Sequence, residues 1–531
     1  MKKATKRIIA MLLMAVLAVT CVGCGGNVDE VVVNEGTGEM PETLTIYAAM
    51  ASAMRAAGMK SFNDALFFQE MEKLTGCHVD WIHPPSGGES EKFNLMIASG
   101  NLPDGIITGW GQIGGGVKSY ADDGIVIPIT NLVEKYMPNL TAFNKERPEV
   151  AKQFTLDDGS MYYVPFIREN PKMKVFTGTD IREDWLDKLG LEIPTNPEEL
   201  KEVLVAFKTK DPNGNGIADE IPMTGVKFES GDYAIGNLLW MFGTKQDFYQ
   251  IDGKVKYGIM EDEFEEGLAY VADLFKEGLI DQDYIINDKT KMDGKIYNDR
   301  VGFFFGFQPT RYQTEMDDGV KKVTGIPYLR KEGVKYNVFN VNYIRDVTNV
   351  SLALTTQNQN AGGTLKWLDA FFSEEGTEIM NYGVEGLTFN YEEDGYPRLT
   401  DYVFTDKNGN KGAARSAEFL GGSQSCFPML QQWEYYEQMI TPWAIDAIET
   451  WSATSDDNGA LPYLVFTAEE SEMIQDTMAD ATTYVTEWAN KVVLGNAKID
   501  ELPKVRAELE KMGIKQVIEC YQAALDRYNK R

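Results

Sequence analysis

TLTIYAA (43–49), HVDWIH (78–83) and DGIITG (104–109) are three short apolar runs at even spacing. What lies between them decides the fold. NDALFFQEMEKLTG (63–76) has a helical pattern and a glycine stop, and SEKFNLMIASGNLP (90–103) ends in glycine and then proline. Strand–helix–strand–helix–strand at this length requires right-handed crossovers and a parallel sheet. An open parallel sheet binds ligands outside the carboxyl ends of its strands. TGW (108–110) follows the third strand directly, which puts Trp110 at such an edge.

Downstream, DDGSMYYVPF (157–166) reads as a turn and an alternating aromatic strand closed by Pro165. In GTDIREDWLDKLG (178–190), Asp180 is the expected N-cap, Glu183 its capping-box partner and Gly190 the stop. PTNPEELKEVLVAFK (194–208) has Asn196 as cap and Pro197 in the first turn. A helix is expected over 264–278, strands over 300–307 and 349–356, and a helix over 362–376. The last third is helical, with a Thr467/Glu470 capping box and a break near Gly513.

At the amino end, Lys2, Lys3, Lys6 and Arg7 precede an uncharged core of about 13 residues, too short to prefer spanning a bilayer. Gly23, Cys24 and a glycine pair follow, a pattern that resembles the lipobox of bacterial lipoproteins, with Cys21 standing where leucine is usual. Residues 1–23 are therefore expected to leave as a signal peptide, with Cys24 carrying lipid and residues 24–42 forming a flexible tether; a plain secretory signal is the alternative. The chain has 51 basic and 81 acidic residues, and loss of the four leader cations takes the net charge from −30 to −34. Neither nucleic acid nor an anionic membrane surface suits that charge. Cys77, Cys426 and Cys520 fit neither a zinc cluster nor a disulfide framework and read as buried thiols.

The loop DPNGNGIADEIP (211–222) places oxygen-bearing residues at positions one, three and five, glycine at six, the Ile217 carbonyl at seven and Asp219 at nine. That is the order in which a calcium loop wraps a hard cation. Pro222 occupies position twelve, where an EF-hand has glutamate, so Asp219 or Glu220 must complete the shell. With no histidine nearby, nothing suggests an activated water, and the ion is expected to be structural.

The C-G-G leader, LPDG (102–105), DGSMYYVP, IREDWLDKLGLEIPTNPEEL, the 211–222 loop, FKEGLIDQDY, KWLDAFFSEEG, NYGVEG and LPYLVFTAEE occur in one order over nearly the whole mature chain. Together they resemble the extracellular solute-binding lipoproteins of carbohydrate ABC importers, and within them the large subgroup related to alginate-oligosaccharide-binding proteins. The resemblance implies an α/β, two-lobed periplasmic-binding-protein-like (type II) fold with a hinge and extra C-terminal helices. Lobe 1 is expected at 43–165 plus 325–385, and lobe 2 at 166–324 plus 386–531. It further implies calcium held by Asp211, Asn213, Asn215, Ile217, Asp219 and Glu220, an oligosaccharide ligand, permease subunits as partners and a monomer tethered to the outer face of the cell membrane. Sugars offer flat C–H faces to aromatic rings and hydroxyl rims to planar polar groups. Candidate contacts are Trp110 beyond its strand end, Tyr163 on the inter-lobe strand, Trp240 in NLLWMFGT, Glu385 in NYGVEG, and Phe389 and Trp433. Arg182 and Trp185, three apart on one helical face, either stack on and donate to a sugar or form a structural pair.

No catalytic constellation stands out. His78 and His83 flank one strand without a nucleophile elbow, no phosphate-cradling loop is present, and nothing singles out a carboxylate pair among 81 acids. The expectation is a non-catalytic importer receptor, with a surface glycan-active enzyme or a sensory adaptor as alternatives.

Overall fold

The computed structural model describes residues 33–110, 116–307, 319–336, 346–405, 427–454 and 459–531, with single positions between them. Cys24, the leader, the tether up to residue 32 and Cys426 lie outside the described residues. Among the described residues, no helix is long and apolar enough to cross a membrane.

The opening runs form β1 (Thr43–Ala48), β2 (His78–Ile82) and β3 (Gly105–Gly109), with β1 parallel to both others. β4 (Val164–Arg168), β11 (Val347–Leu354) and β14 (Leu430–Gln431) complete a six-stranded sheet in the order β14-β4-β11-β3-β1-β2. β11 runs antiparallel to its neighbours. Pro165 does not close a strand but lies inside β4, opposite Ser351, where the ladder shifts register. A proline without an N–H is accommodated at such an irregularity.

The second sheet has the order β10-β5-β9-β6, from β5 (Thr177–Arg182), β6 (Ile221–Met223), β9 (Val301–Phe307) and β10 (Val323–Ile326). Two hairpins, β7–β8 (Phe248–Ile251, Lys254–Tyr257) and β12–β13 (Phe389–Tyr391, Pro397–Leu399), stand apart. Asp180 is therefore not a helix cap. It sits within β5, and the helix starts at Glu183 with Arg182 as its N-cap residue and no side-chain cap bond. Pairing with β9 and β10 on both sides overrides the local capping signal. Asp180 is fully buried, neither carboxyl oxygen has a hydrogen-bond partner among the described residues, and burial pushes its pKa well above the usual range. Asp180→Asn, which replaces a buried ionisable group that has no hydrogen-bond partner among the described residues by a neutral group of the same shape, is expected to raise the thermal midpoint. Asn196, by contrast, caps Pro197–Thr209 as expected, Thr467 and Glu470 form their box, and Gly513 separates the last two helices.

Each sheet carries its own core. One gathers apolar side chains from 44–167, 347–380 and 427–429, the other from 175–338 and 447–525. The lobe limits thus differ from expectation at two places: β10 belongs with the second sheet, and Phe427 and Met429 pack into the first core. Among the described residues, the chain crosses between lobes three times, after β4, after β10 and after β14. Met173, Trp433 and Ile448 cluster where the first and third crossings meet, and Lys174 Nζ lies 3.7 Å from Asp346 on the second. Gly178 lies so close to Trp451 that an added Cβ would stand 2.2 Å from the ring. Gly178→Ala is expected to cost about 1–3 kcal/mol by overpacking, read from the urea midpoint.

A second junction joins the lobes. Asp157, beside the first core, accepts from Arg527 at 2.7 Å and Arg531 Nε at 2.8 Å on the C-terminal helix Ile514–Lys530 and its following residue. Arg527 also binds Glu470 at 2.6 Å, and Lys152 lies over the Tyr528 ring.

Candidate functional site

The strand directions fix which edges of the two sheets face each other. The chain enters the second lobe at Thr177, opposite Phe307 at the carboxyl end of β9, and leaves it after Ile326, opposite Thr179. The carboxyl ends of β6 and β9 therefore face lobe 1. In the first lobe, the carboxyl end of β3 pairs Gly109 with Val350 near the arrival of the second crossing. Both lobes thus present to the junction the strand ends where ligands bind in open α/β sheets.

On lobe 2, that edge carries residues 224–247. The 3-10 helix Ile235–Phe242 ends at Gly243, whose φ of +74° lets its N–H turn back to the Trp240 carbonyl. Two further glycines admit the following turn against the backbone. A Cβ at Gly236 would stand 1.6 Å from Gln246 Nε2, and one at Gly258 would stand 1.5 Å from the Lys245 carbonyl. The result is a half-enclosed cavity of about 30 Å³, lined by Trp240, Lys245, Gln246 and Asp247 with Glu229–Gly231 and Asn237 across from them.

Lys245 is only 7% exposed, and no hydrogen bond to its amine is formed among the described residues. Burial lowers its pKa to about 8, with Asp247 opposing the shift. Gln246 Nε2 is buried and has no acceptor among the described residues. Asn237 Nδ2 holds the opposite wall by donating to the carbonyls of Gly231 (2.9 Å) and Asp232 (3.2 Å). Trp240 meets Phe305 edge-on at 5.3 Å. A wider groove of about 550 Å³ lies beside Asp219, Lys295 and Arg300, at the amino ends of β6 and β9. Its lining follows the helix Lys289–Tyr297 down to the amino ends of β6 and β9, whereas the smaller cavity is built from residues that follow the carboxyl end of β6, which makes the smaller cavity the better candidate despite its size.

Other candidate contacts are scattered. Trp110 reaches the junction edge but turns into the first core. It is fully buried, donates from Nε1 to the Ser351 carbonyl at 3.0 Å and packs edge-on against Phe93 and Tyr120. Tyr163 is 6% exposed and belongs to the same core. Arg182 and Trp185 form a structural pair: the guanidinium lies 4.7 Å from the ring centroid, both are buried, and Arg182 binds Asp184 at 2.6 Å and also Asp299. Phe389 packs with Tyr382 and Tyr435, and Trp433 lies in the hinge cluster under Lys172. Glu385 is exposed in the turn before β12. Of the residues anticipated from sequence, Trp240 is the one lining the cavity; Lys245, Gln246 and Asn237 were not anticipated.

In the 211–222 loop, Asp211 accepts from the Gly214 and Gly216 N–H groups, Asn213 from that of Asn215, and Asn215 from that of Ile217. Asp219 Oδ1 accepts from the Asn215 amide at 3.0 Å, and Asp219 lies 3.2 Å from Arg300. Glu220 Oε1 is buried without a hydrogen-bond partner among the described residues, and burial first, then Asp211 and Asp219, raise its pKa. Among the described residues, no three His, Cys, Asp or Glu side chains converge as a metal-binding group.

A sequence model described as bacterial extracellular solute-binding protein matches residues 52–378. The chain belongs to this family. Among these solute-binding proteins, it is 30% identical over 489 residues to the fructooligosaccharide ABC transporter substrate-binding protein FusA of Streptococcus pneumoniae, covering 88% of each chain. The lipoprotein LipO of Bacillus subtilis is 26% identical over 380 residues, covering 69% of this chain and 70% of LipO. The solved structure of FusA with kestose superposes with a TM-score of 0.72 at 28% identity, covering 92% of this chain and 99% of that one. An EF-hand mutant of FusA with fructo-nystose gives 0.71 at 26% identity, with the same coverages. The two-lobed fold is that of this family, whose members bind solutes rather than transform them; the protein is not an enzyme.

Proposed function

We propose that this solute-binding protein captures an oligosaccharide between its lobes and delivers it intact to an ABC permease, while lipid on Cys24 keeps it at the outer face of the membrane. The observation that carries this reading is the lobe 2 cavity, where amine, amide, carboxylate and indole groups meet at the edge facing lobe 1. Such a mixture suits hydroxyl rims and C–H faces. The fructooligosaccharide specificity of FusA and the lipoprotein nature of LipO support it. A solute touching both lobes favours the closed form by its contacts there, and three crossings with an apolar cluster provide the hinge. The test is calorimetric titration with fructo-, gluco-, galacto- and manno-oligosaccharides, followed by chromatography of the recovered sugar. Binding with unaltered sugar is expected, and a cleaved product refutes the proposal.

The loop fits a structural calcium ion. Its donors are hard oxygens, and the buried Oε1 of the half-buried Glu220 has no hydrogen-bond partner among the described residues. Asp211, Asn213, Asn215, the Ile217 carbonyl, Asp219 and Glu220 would hold the ion, whose charge offsets the repulsion among the carboxylates. At a calcium concentration of 100 Kd, binding adds about 2.7 kcal/mol to stability. EGTA is therefore expected to lower the melting temperature of the wild type and to leave that of an Asp211→Ala variant unchanged.

A further inference from the structure

The cavity beside Trp240 contains two buried donors that the fold leaves without acceptors, the Lys245 amine and Gln246 Nε2. Burying unpaired donors is costly, and both residues line the same space. At about 30 Å³, that space accepts about two waters, which is the bulk of one hydroxymethyl group and far less than a sugar ring. The lining also carries carboxylates on both sides. Glu229, already 3.0 Å from Lys227, and Asp247, which accepts from the Phe248 N–H, offer acceptors to the same space.

We propose that this cavity is a subsite for the hydroxymethyl or terminal hydroxyl of a neutral sugar, whose oxygen accepts from Lys245 and Gln246 and whose proton goes to a lining carboxylate. The inference rests on the oligosaccharide-receptor reading and specifies its ligand class. A hydroxyl both donates and accepts, matching a lining that does both. A uronate carboxylate only accepts; it gains Lys245 but faces Asp247 and Glu229, so the subsite discriminates between otherwise similar glycans. The adjoining Trp240 indole is placed to meet the ring that carries the inserted group.

The test uses the full folded chain in calorimetric titrations with a neutral oligosaccharide panel that includes kestose, and with trigalacturonic acid. Wild type is expected to bind a neutral member at least tenfold more tightly than trigalacturonic acid. Lys245→Met and Gln246→Met are each expected to weaken that binding at least tenfold while the melting temperature holds. In the wild type, the bound neutral sugar is expected to slow acetylation of Lys245 by acetic anhydride at least tenfold, a readout that does not depend on the folding of variants. Tighter binding of trigalacturonic acid, affinities within twofold of wild type in both variants, or unprotected Lys245 overturns the subsite while leaving a sugar receptor intact. If no glycan binds the wild type, the receptor reading falls and the subsite with it.

Discussion

Trp110→Ala is expected to lower the stability of the protein by about 3–5 kcal/mol, the usual cost of emptying a large buried aromatic site. The ring is fully buried, its N–H is bonded to the Ser351 carbonyl on β11, and Phe93 and Tyr120 meet it edge-on. Truncation removes these contacts, among them the hydrogen bond to the central sheet. Urea unfolding followed by tryptophan and far-ultraviolet signals measures the loss, and sugar affinity of the folded fraction is expected to change little. An unchanged midpoint with weakened sugar binding would return Trp110 to the ligand site.

Arg182→Met carries a comparable expectation, a loss of about 3–5 kcal/mol, as for removing one member of a buried ion network. Arg182 is 1% exposed, binds Asp184 at 2.6 Å, also binds Asp299, and lies against Trp185. Asp299 in turn offers its carbonyl to Asn213 of the ion loop at 3.2 Å. Removing the buried cation leaves Asp184 with the Lys322 N–H and, among the described residues, Asp299 with only the more distant Lys321 amine, 3.7 Å away, at the base of that loop. The double variant Arg182→Met with Asp299→Asn is expected to recover part of the loss, which separates uncompensated charge from lost packing. Full stability in Arg182→Met alone would show that the pair contributes nothing.

The alternation that opens the chain was legible because β1, β2 and β3 are apolar in runs of strand length and the helices between them stop at Gly76 and Gly100. Asn196 and Thr467 were legible as caps because capping is a local bargain between a side chain and the next turn. Asp180 misled because its bond partners are strands 120 or more residues away in sequence, and pairing with them outweighs a local cap. Trp110 misled for the same reason: a position past a strand end suggests exposure, while Ser351 decides its direction. Lys245 and Gln246 carry no motif. Their cavity depends on how closely Gly236 and Gly258 let the backbone approach, which a single sequence does not announce.

Asp157 stands 370 positions before Arg527 and 374 before Arg531. A ribosome releases the carboxylate long before either guanidinium exists. The salt link that fastens one half against the other is therefore among the last bonds available during synthesis, and final alignment of the halves comes late, after each interior has had time to condense.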